Sequence, residues 1–549
     1  MNMDHDHVDS DRAAPATAAK TRLLNAAGGV TSAAAGIGVA HLVAELTVPA
    51  ASPLLAVGSI AIDAAPTAVK EFAVQTFGNA DKPVLLGGLS LVLMVVTALI
   101  GAVGYRHRWA GILGIGALGL VAGAAAYART PELIAMLPAL VAAFVAIVGL
   151  TWVLAGLGSD TRATTAEPTA EAGGRRADTI SPLDSPQVRS GRFVPTRRGV
   201  LLGGPAALAI AGTGGGIALN RLRSGDEAIG RDQQLPEALD PVLPLPDDID
   251  LAVPGITPFR TPSPDFYRVD IALSTPRLNS DSWSLAIDGR VQNPITLRYA
   301  DILDMPMIER WITLTCVSNP VGGPYVSTGK WLGVRLADVF EQVGVQPEAN
   351  QLFTSSADGL TMSVPLAAAT DGRDAMLVVG LNDEQLPVER GFPARLIVPG
   401  LFGFVSAAKW ITDMKLSTYA EDVAYWTQRD WATDAPVLTQ ARIDVPGPLE
   451  RVPAGRVTVA GVAWAQQRGI EKVEVRIDGG DWSEAELGPD AGVDLWRQWR
   501  FEWESTGPGR HDAQVRATDG NGDSQVEERT DPVPDGARGW HSIAFTVED

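Results

Sequence analysis

The chain has 549 residues, 46% of them hydrophobic, with one cysteine and a formal net charge of -20. A single thiol excludes an internal disulfide and any metal site built from several cysteines. The acidic excess falls after Arg223 and repels phosphate backbones, so nucleic acid is not expected as a partner, and the length calls for several domains.

Residues 1–159 read as a membrane domain. Leu23–Ala44, Pro83–Tyr105, Trp109–Ala128 and Leu133–Ser159 contain no Asp, Glu, Lys or Arg, and about 20 apolar residues cross a bilayer core. A further stretch, Ser52 to Gly78, is interrupted by Asp63, Pro66, Lys70 and Glu71; such groups are costly in hydrocarbon, so it reads as re-entrant or interfacial. Four spans place Lys20, Arg22, the Arg106-His107-Arg108 loop and Arg175, Arg176, Arg189, Arg192, Arg197 and Arg198 all in the cytoplasm, as positive residues prefer. A fifth span through the interrupted stretch would break that pattern. His41 and Glu45 lie one helical turn apart and suit either a proton or quinone site or an interfacial structural role. With His41 the only span histidine and His107 in a loop, no haem is expected in this chain.

Residues 160–198 lack apolar periodicity and read as a disordered basic linker. Residues 199–222 form a last transmembrane helix, and Thr196-Arg197-Arg198-Gly199-Val200-Leu201 resembles the twin-arginine signal that exports folded proteins. That signal usually opens a chain; here it is internal. Gly212-Thr213-Gly214-Gly215-Gly216 follows no strand, so helix packing explains it better than a dinucleotide loop.

The rest is expected on the extracytoplasmic side. After a Pro-rich connector, residues 223–255, the region 256–436 mixes short strands ("WSLAIDGRV", "RWITLTCV", "RLIVPGLFG", "KWITDMKL") with helical pieces such as "VRLADVFEQVG", closed by Gly344 as a C-cap. This is an α+β pattern. From 437 to 549, alternating strands separated by Gly/Asp turns suit an immunoglobulin-like β-sandwich. "DGNGDS" from Asp519 begins like a calcium loop, but Ser524 and Thr530 occupy its glycine and glutamate positions, so a hairpin turn fits better.

Cys316 ends an apolar strand in "WITLTCVSNP". A free cysteine is most often a small buried hydrophobe; at the mouth of an Asn-Pro turn its thiolate could also be a soft metal ligand. A cysteine nucleophile would need a histidine, and beyond residue 223 only His511 and His541 occur, both in the last region.

Several motifs in order give this region a specific resemblance to the sulfite oxidase family of molybdopterin enzymes. Cys316-Val317-Ser318-Asn319 is similar to the family's metal-ligand turn, "SSADGLTMSVP" to the segment after it, "GFPARLIVPG" to its Gly-Phe-Pro-x-Arg run, and "AAKW" to its Lys-Trp pair. "KVEVRIDGGDW", "WRFEW" and "RATDGNGDSQ" resemble its dimerisation domain. The resemblance implies a molybdenum–molybdopterin cofactor with Cys316 as catalytic metal ligand. It also implies Arg395 and Lys409 on the pterin phosphate, and Tyr267 and Arg268 of "FYRVD", Ser318, Asn319, Ser356, Asp358 and Arg390 around the cofactor. Homodimerisation through the last domain is implied too. Two departures bear on substrate: Pro320-Val321-Gly322-Gly323 replaces arginines after the ligand turn, and Asp430-Trp431 replaces an Asp-Tyr pair. The expectation is a membrane-anchored oxidoreductase that transfers an oxygen atom or two electrons on a small S- or N-oxo compound and exchanges electrons with a cytochrome or quinone. The alternatives are a sulfoxide reductase of the methionine-sulfoxide type, or a tethered adhesion or scaffold protein without catalysis.

Overall fold

The computed structural model describes residues 13–77, 80–163, 197–223, 225, 229–231 and 233–548. Most of the linker expected at 160–198, and Thr196 of the twin-arginine-like run, lie outside these residues. The chain divides into two compact units, one within Met1–Ala65 and Ala80–Arg223, the other within Pro66–Asn79 and Ser224–Asp549.

The first part of the chain is helical: α1 (Ala13–Leu46), α2 (Pro53–Ala64), α3 (Thr67–Phe77), α4 (Asp81–Gly104), α5 (Arg108–Arg129), α6 (Leu137–Ala163) and α7 (Arg197–Arg223). Among the described residues, five stretches are long and apolar enough to cross a membrane: Arg22–Leu46, Asp81–Gly104, Arg108–Arg129, Leu133–Gly156 and Gly199–Arg223. The interrupted stretch instead splits into α2 and α3 at Ala65-Pro66, where Ala65 is extended (φ -68, ψ 135) as a residue before proline prefers. Asp63 at the end of α2 is neutralised by Arg129 of α5 at 2.7 Å. Helices α1 and α7 approach so closely that a Cβ on Gly38 or Gly212 would strike the partner backbone. Along the same seam, Asn220 donates to the Glu45 carboxylate (3.0 Å) and Arg223 to the Glu45 carbonyl (2.7 Å), so Glu45 joins the two helices.

In the second unit, ten strands and four short helices build the central part. The strands are β1 (Ser284–Gly289), β2 (Ile295–Arg298), β3 (Met307–Thr315), β4 (Val326–Arg335), β5 (Gln351–Ser356), β6 (Thr361–Pro365), β7 (Met376–Leu381), β8 (Glu384–Gln385), β9 (Arg395–Ile397) and β10 (Ile411–Ser417). The helices are α8 (Tyr299–Leu303), α9 (Leu336–Val343), α10 (Leu366–Thr370) and α11 (Gly403–Ser406). One sheet runs β2-β1-β10-β5-β6; the other runs β3-β4-β7-β8, with β9 also on β7. Helix α9 buries Leu336, Val339, Phe340 and Val343 on one stripe, and Gly344 caps it with φ 64. "RLIVPGLFG" is a strand for three residues only, because Pro399 offers no N–H and Gly400 turns the chain with φ 83.

The C-terminal part contains β11 (Gln440–Val445), β12 (Arg451–Val452), β13 (Arg456–Trp464), β14 (Ile470–Ile477), β15 (Ser483–Glu484), β16 (Glu486–Leu487), β17 (Arg497–Glu504), β18 (Gly509–Asp519) and β19 (His541–Val547). They form sheets β11-β13-β17-β16 and β12-β19-β18-β14-β15. Alternate residues such as Val473, Val475, Ala513, Val515 and Phe545 supply its own core. Val462, Trp464, Leu495 and Trp496 instead join the central core, so the two parts share packing. The Asp519 carboxylate accepts from Arg468, Thr439, Asn521 and Asp523, which closes the "DGNGDS" turn.

Candidate functional site

Strands β3 and β4 pair antiparallel as far as Thr315 and Val326, and the loop between them carries the thiol. Its conformation is set locally. Cys316 N–H donates to the Tyr325 carbonyl (3.0 Å) and Asn319 N–H to the Cys316 carbonyl (3.1 Å). The Asn319 side-chain oxygen accepts from Tyr325 N–H at 2.9 Å, so the side chain does the work of a further ladder rung where Pro320 can donate nothing. Cys316 is 7% exposed. Burial pushes its thiol pKa up, against hydrogen bonds from the Ser318 backbone and hydroxyl and the positive charge of Lys409.

Lys409 acts on that sulfur, and three arginines are coupled to Lys409 or to Tyr267. Lys409 donates to Asp270 (2.8 Å), and Arg268 reaches the same carboxylate (2.7 Å) and Thr275 Oγ1 (2.9 Å). Arg390 donates only to carbonyls, of Ser263, Pro264 and Tyr267. Arg395 donates to the carbonyls of Arg390 (3.2 Å) and Ala407 (3.3 Å), lies over the Trp331 ring at 5.1 Å, and has a buried Nε without a partner. Neither Arg390 nor Arg395 has an ion-pair partner among the described residues. Burial pulls Arg395 down to about 10 and Lys409 down to about 8, and lowers Arg390 as well. Burial raises the Asp358 pKa, against the hydrogen bond its Oδ1 accepts from Leu360 N–H and the positive charge of Lys409. The Ser356 hydroxyl, at the end of β5, is buried without a partner.

Tyr267 stacks on Phe266 (5.7 Å), which meets Trp331 edge-on (5.2 Å). Burial first, and then the adjacent Cys316, push the phenol pKa far above its usual range. Gly403 at the start of α11 lets the Tyr267 hydroxyl in: a Cβ there would lie 3.2 Å from it.

The geometry therefore gathers Cys316, Tyr267, Arg268, Arg390, Arg395, Lys409 and Asp358 into one electrostatically coupled group. Ser318 and Asn319 lie in the turn that carries the thiol, and Ser356 ends β5 of the other central sheet. Sequence reasoning missed Asp270, the carboxylate shared by two of the cations; it sits inside "FYRVD" two residues from Arg268, a spacing that could have flagged it. It also missed Trp331, the platform under Arg395, for which no local signal exists. Buried guanidinium groups without an ion pair among the described residues, one orphaned Nε and a lone thiol suit a ligand that is anionic at one end and holds a soft metal at the other.

Comparison with known proteins agrees. Residues 272–426 match the oxidoreductase molybdopterin binding domain. Residues 272–426 are thus a molybdopterin-binding oxidoreductase domain, and the chain is similar to the sulfite oxidases. The mitochondrial sulfite oxidase of Homo sapiens is 30% identical over 293 residues, 44% of this chain and 53% of that one. An uncharacterized oxidoreductase, YuiH, of Bacillus subtilis is 29% identical over 149 residues, 27% of this chain and 72% of that one. The solved sulfane dehydrogenase SoxCD from Paracoccus pantotrophus aligns over 54% of this chain and 85% of that one, with TM-score 0.46 and 22% identity. The chain spans about half the length of the mitochondrial sulfite oxidases it matches. A domain of this family takes a molybdenum–molybdopterin cofactor, and the cationic group beside Cys316 fits one.

Proposed function

We propose that the protein is a membrane-anchored molybdenum oxidoreductase, with its second unit on the extracytoplasmic side, that transfers an oxygen atom or two electrons on a small S- or N-oxo compound. The observation that carries this reading is the pair of buried arginines, Arg390 and Arg395, that lack an ion pair among the described residues and share the charged surroundings of Tyr267 with the sole thiol. When bound, the cofactor supplies a metal that changes oxidation level by two electrons.

The chain's residues have separable tasks. Cys316 would ligate the metal, held in place by the Asn319 turn, while the Ser318 hydrogen bonds and Lys409 favour its thiolate. Arg395, Arg390 and Lys409 would hold the phosphate, and Asp270 orients Lys409 and Arg268 toward it. The buried Ser356 hydroxyl and the Asn319, Ser318 and Asp358 groups would line the cofactor. Tyr267 stays protonated and offers its hydroxyl as a donor beside the sulfur.

The surroundings favour an uncharged or weakly charged substrate, such as a sulfoxide, over sulfite. The loop after the ligand turn carries no cation, and the arginine that reaches it, Arg442, is committed to Gly323, Thr257 and Asp444. At the Asp430-Trp431 position, Trp431 is 5% exposed and packs against Phe404 (5.5 Å) and Trp426 (5.8 Å). A panel of sulfite, sulfoxides and N-oxides with artificial electron donors and acceptors tests this: sulfoxide or N-oxide turnover without sulfite oxidation is expected, and sulfite as the best substrate would reverse the assignment. The C-terminal part is proposed as an immunoglobulin-like dimerisation domain, so mass measurement in detergent should return twice the chain mass. A cytochrome or quinone remains the proposed electron partner.

A further inference from the structure

The loop that carries Cys316 is gripped from its far side by the C-terminal part. Gln466, fully buried just after β13, donates from Nε2 to the Thr313 carbonyl and to Thr315 Oγ1, both at 3.0 Å, the last turns of chain before the thiol. Trp496 N–H donates to Thr313 Oγ1 (2.9 Å), and Thr313 N–H to the Asp494 carbonyl (2.9 Å). Beyond the thiol, Arg442 of β11 donates from one nitrogen to the Gly323 carbonyl (2.9 Å). Its other nitrogens are pinned by Asp444 (2.6 Å) and Thr257 (2.7 Å). His541 of β19 accepts from Ile443 N–H through Nδ1 (3.0 Å), and its ring lies on Gly322, where φ is 79 and a Cβ would collide with the imidazole. Only glycine fits that position, since both the backbone angle and the ring forbid a side chain.

The end of β3 and the loop that follows it are thus anchored at residues 313, 315, 322 and 323, on both sides of Cys316, by side chains more than 100 residues away in sequence. We infer that Arg442, Gln466 and His541 are positioning residues for the metal-ligand loop, which makes the C-terminal part a component of the cofactor site. This rests on the reading of Cys316 as metal ligand. A sulfur that must meet a metal within a few tenths of an ångström needs its backbone held from more than one direction. The β3–β4 hairpin supplies one direction and these three side chains the other.

The sole cysteine provides a readout independent of turnover. In the cofactor-free full-length chain, the rate of Cys316 labelling by a disulfide reagent reports opening of the loop. Arg442→Gln, Gln466→Leu and His541→Phe, made separately, are each expected to speed labelling about tenfold, with a rate that stays flat as urea is raised below the unfolding transition. Arg442→Lys should not restore protection, because an ammonium cannot reach Gly323, Asp444 and Thr257 together. Arg456→Gln, which breaks an exposed pair with Glu504 on the same sheet, should label like the unaltered chain. Labelling at the unaltered rate in all three variants, or faster labelling that climbs with urea along the global unfolding slope, would overturn the inference. Absence of molybdenum from the unaltered holoprotein would instead remove the ligand role of Cys316 and leave the clamp intact.

Discussion

Replacing Arg395 with methionine should have opposite effects on the cofactor-free and cofactor-loaded protein. Without cofactor the guanidinium is 5% exposed and has no ion pair among the described residues, and burial holds its pKa at about 10 against an ordinary 12.5. That drop corresponds to roughly 3 kcal/mol of unfavourable burial of the charge. Against it stand two long hydrogen bonds to carbonyls, at 3.2 and 3.3 Å, and the contact with Trp331. Charge-assisted bonds contribute about 1.5–3 kcal/mol at good geometry, and these sit at the weak end. Methionine keeps much of the volume and can pack its sulfur on the Trp331 ring. The cofactor-free variant should therefore unfold within about 1 kcal/mol of the unaltered chain, on the stabilised side. Loss of one charged donor to a phosphate costs about 1.5–3 kcal/mol, a roughly 10- to 150-fold weaker hold on the cofactor. Urea unfolding of the cofactor-free protein, together with pterin and molybdenum per chain after dialysis, measures both arms. A variant that unfolds several kcal/mol earlier and keeps its cofactor would refute the reasoning and make Arg395 a purely structural cation.

Lys409 makes cofactor retention pH-dependent. Its pKa without cofactor, about 8, rises when an anion binds, so affinity is full below pH 8 and should fall by up to tenfold per pH unit above it; a flat retention profile from pH 7 to 9.5 would contradict this. Lys409→Met should abolish that slope. His541 is held at about 4, chiefly by burial and then by Arg442, so the unfolded chain binds its proton first. Stability should decline as pH falls from 6.5 to 4, by up to about 1.4 kcal/mol per unit, and His541→Phe should flatten that part of the profile. Asp270→Asn should release both Lys409 and Arg268 and lower cofactor content, whereas Glu504→Gln, at the exposed pair with Arg456, should not.

What could be read from the sequence was what is encoded locally. The Cys316 turn announces itself through Asn319 and Pro320, helix α9 through its stripe and Gly344, and the long apolar helices through uncharged runs. Arg395 and Lys409 were visible through short motifs. The rest depends on residues brought together from afar. No local pattern tells that Trp331 floors Arg395, that Asp270 serves two cations, or that Gln466 reaches Thr313 and Thr315 across more than 100 positions. The short life of β9 had the same origin: "RLIVPGLFG" has strand composition, but Pro399 and the turn at Gly400 stop the pairing after Ile397.

The central claim is a bond from the sole thiol to molybdenum. X-ray absorption at the molybdenum edge of the purified holoprotein and of Cys316→Ser tests it most directly. The account predicts that the unaltered protein has one more sulfur neighbour at the metal than the variant, while both keep the pterin. Identical sulfur counts in the two proteins, or no molybdenum in the unaltered one, would contradict it.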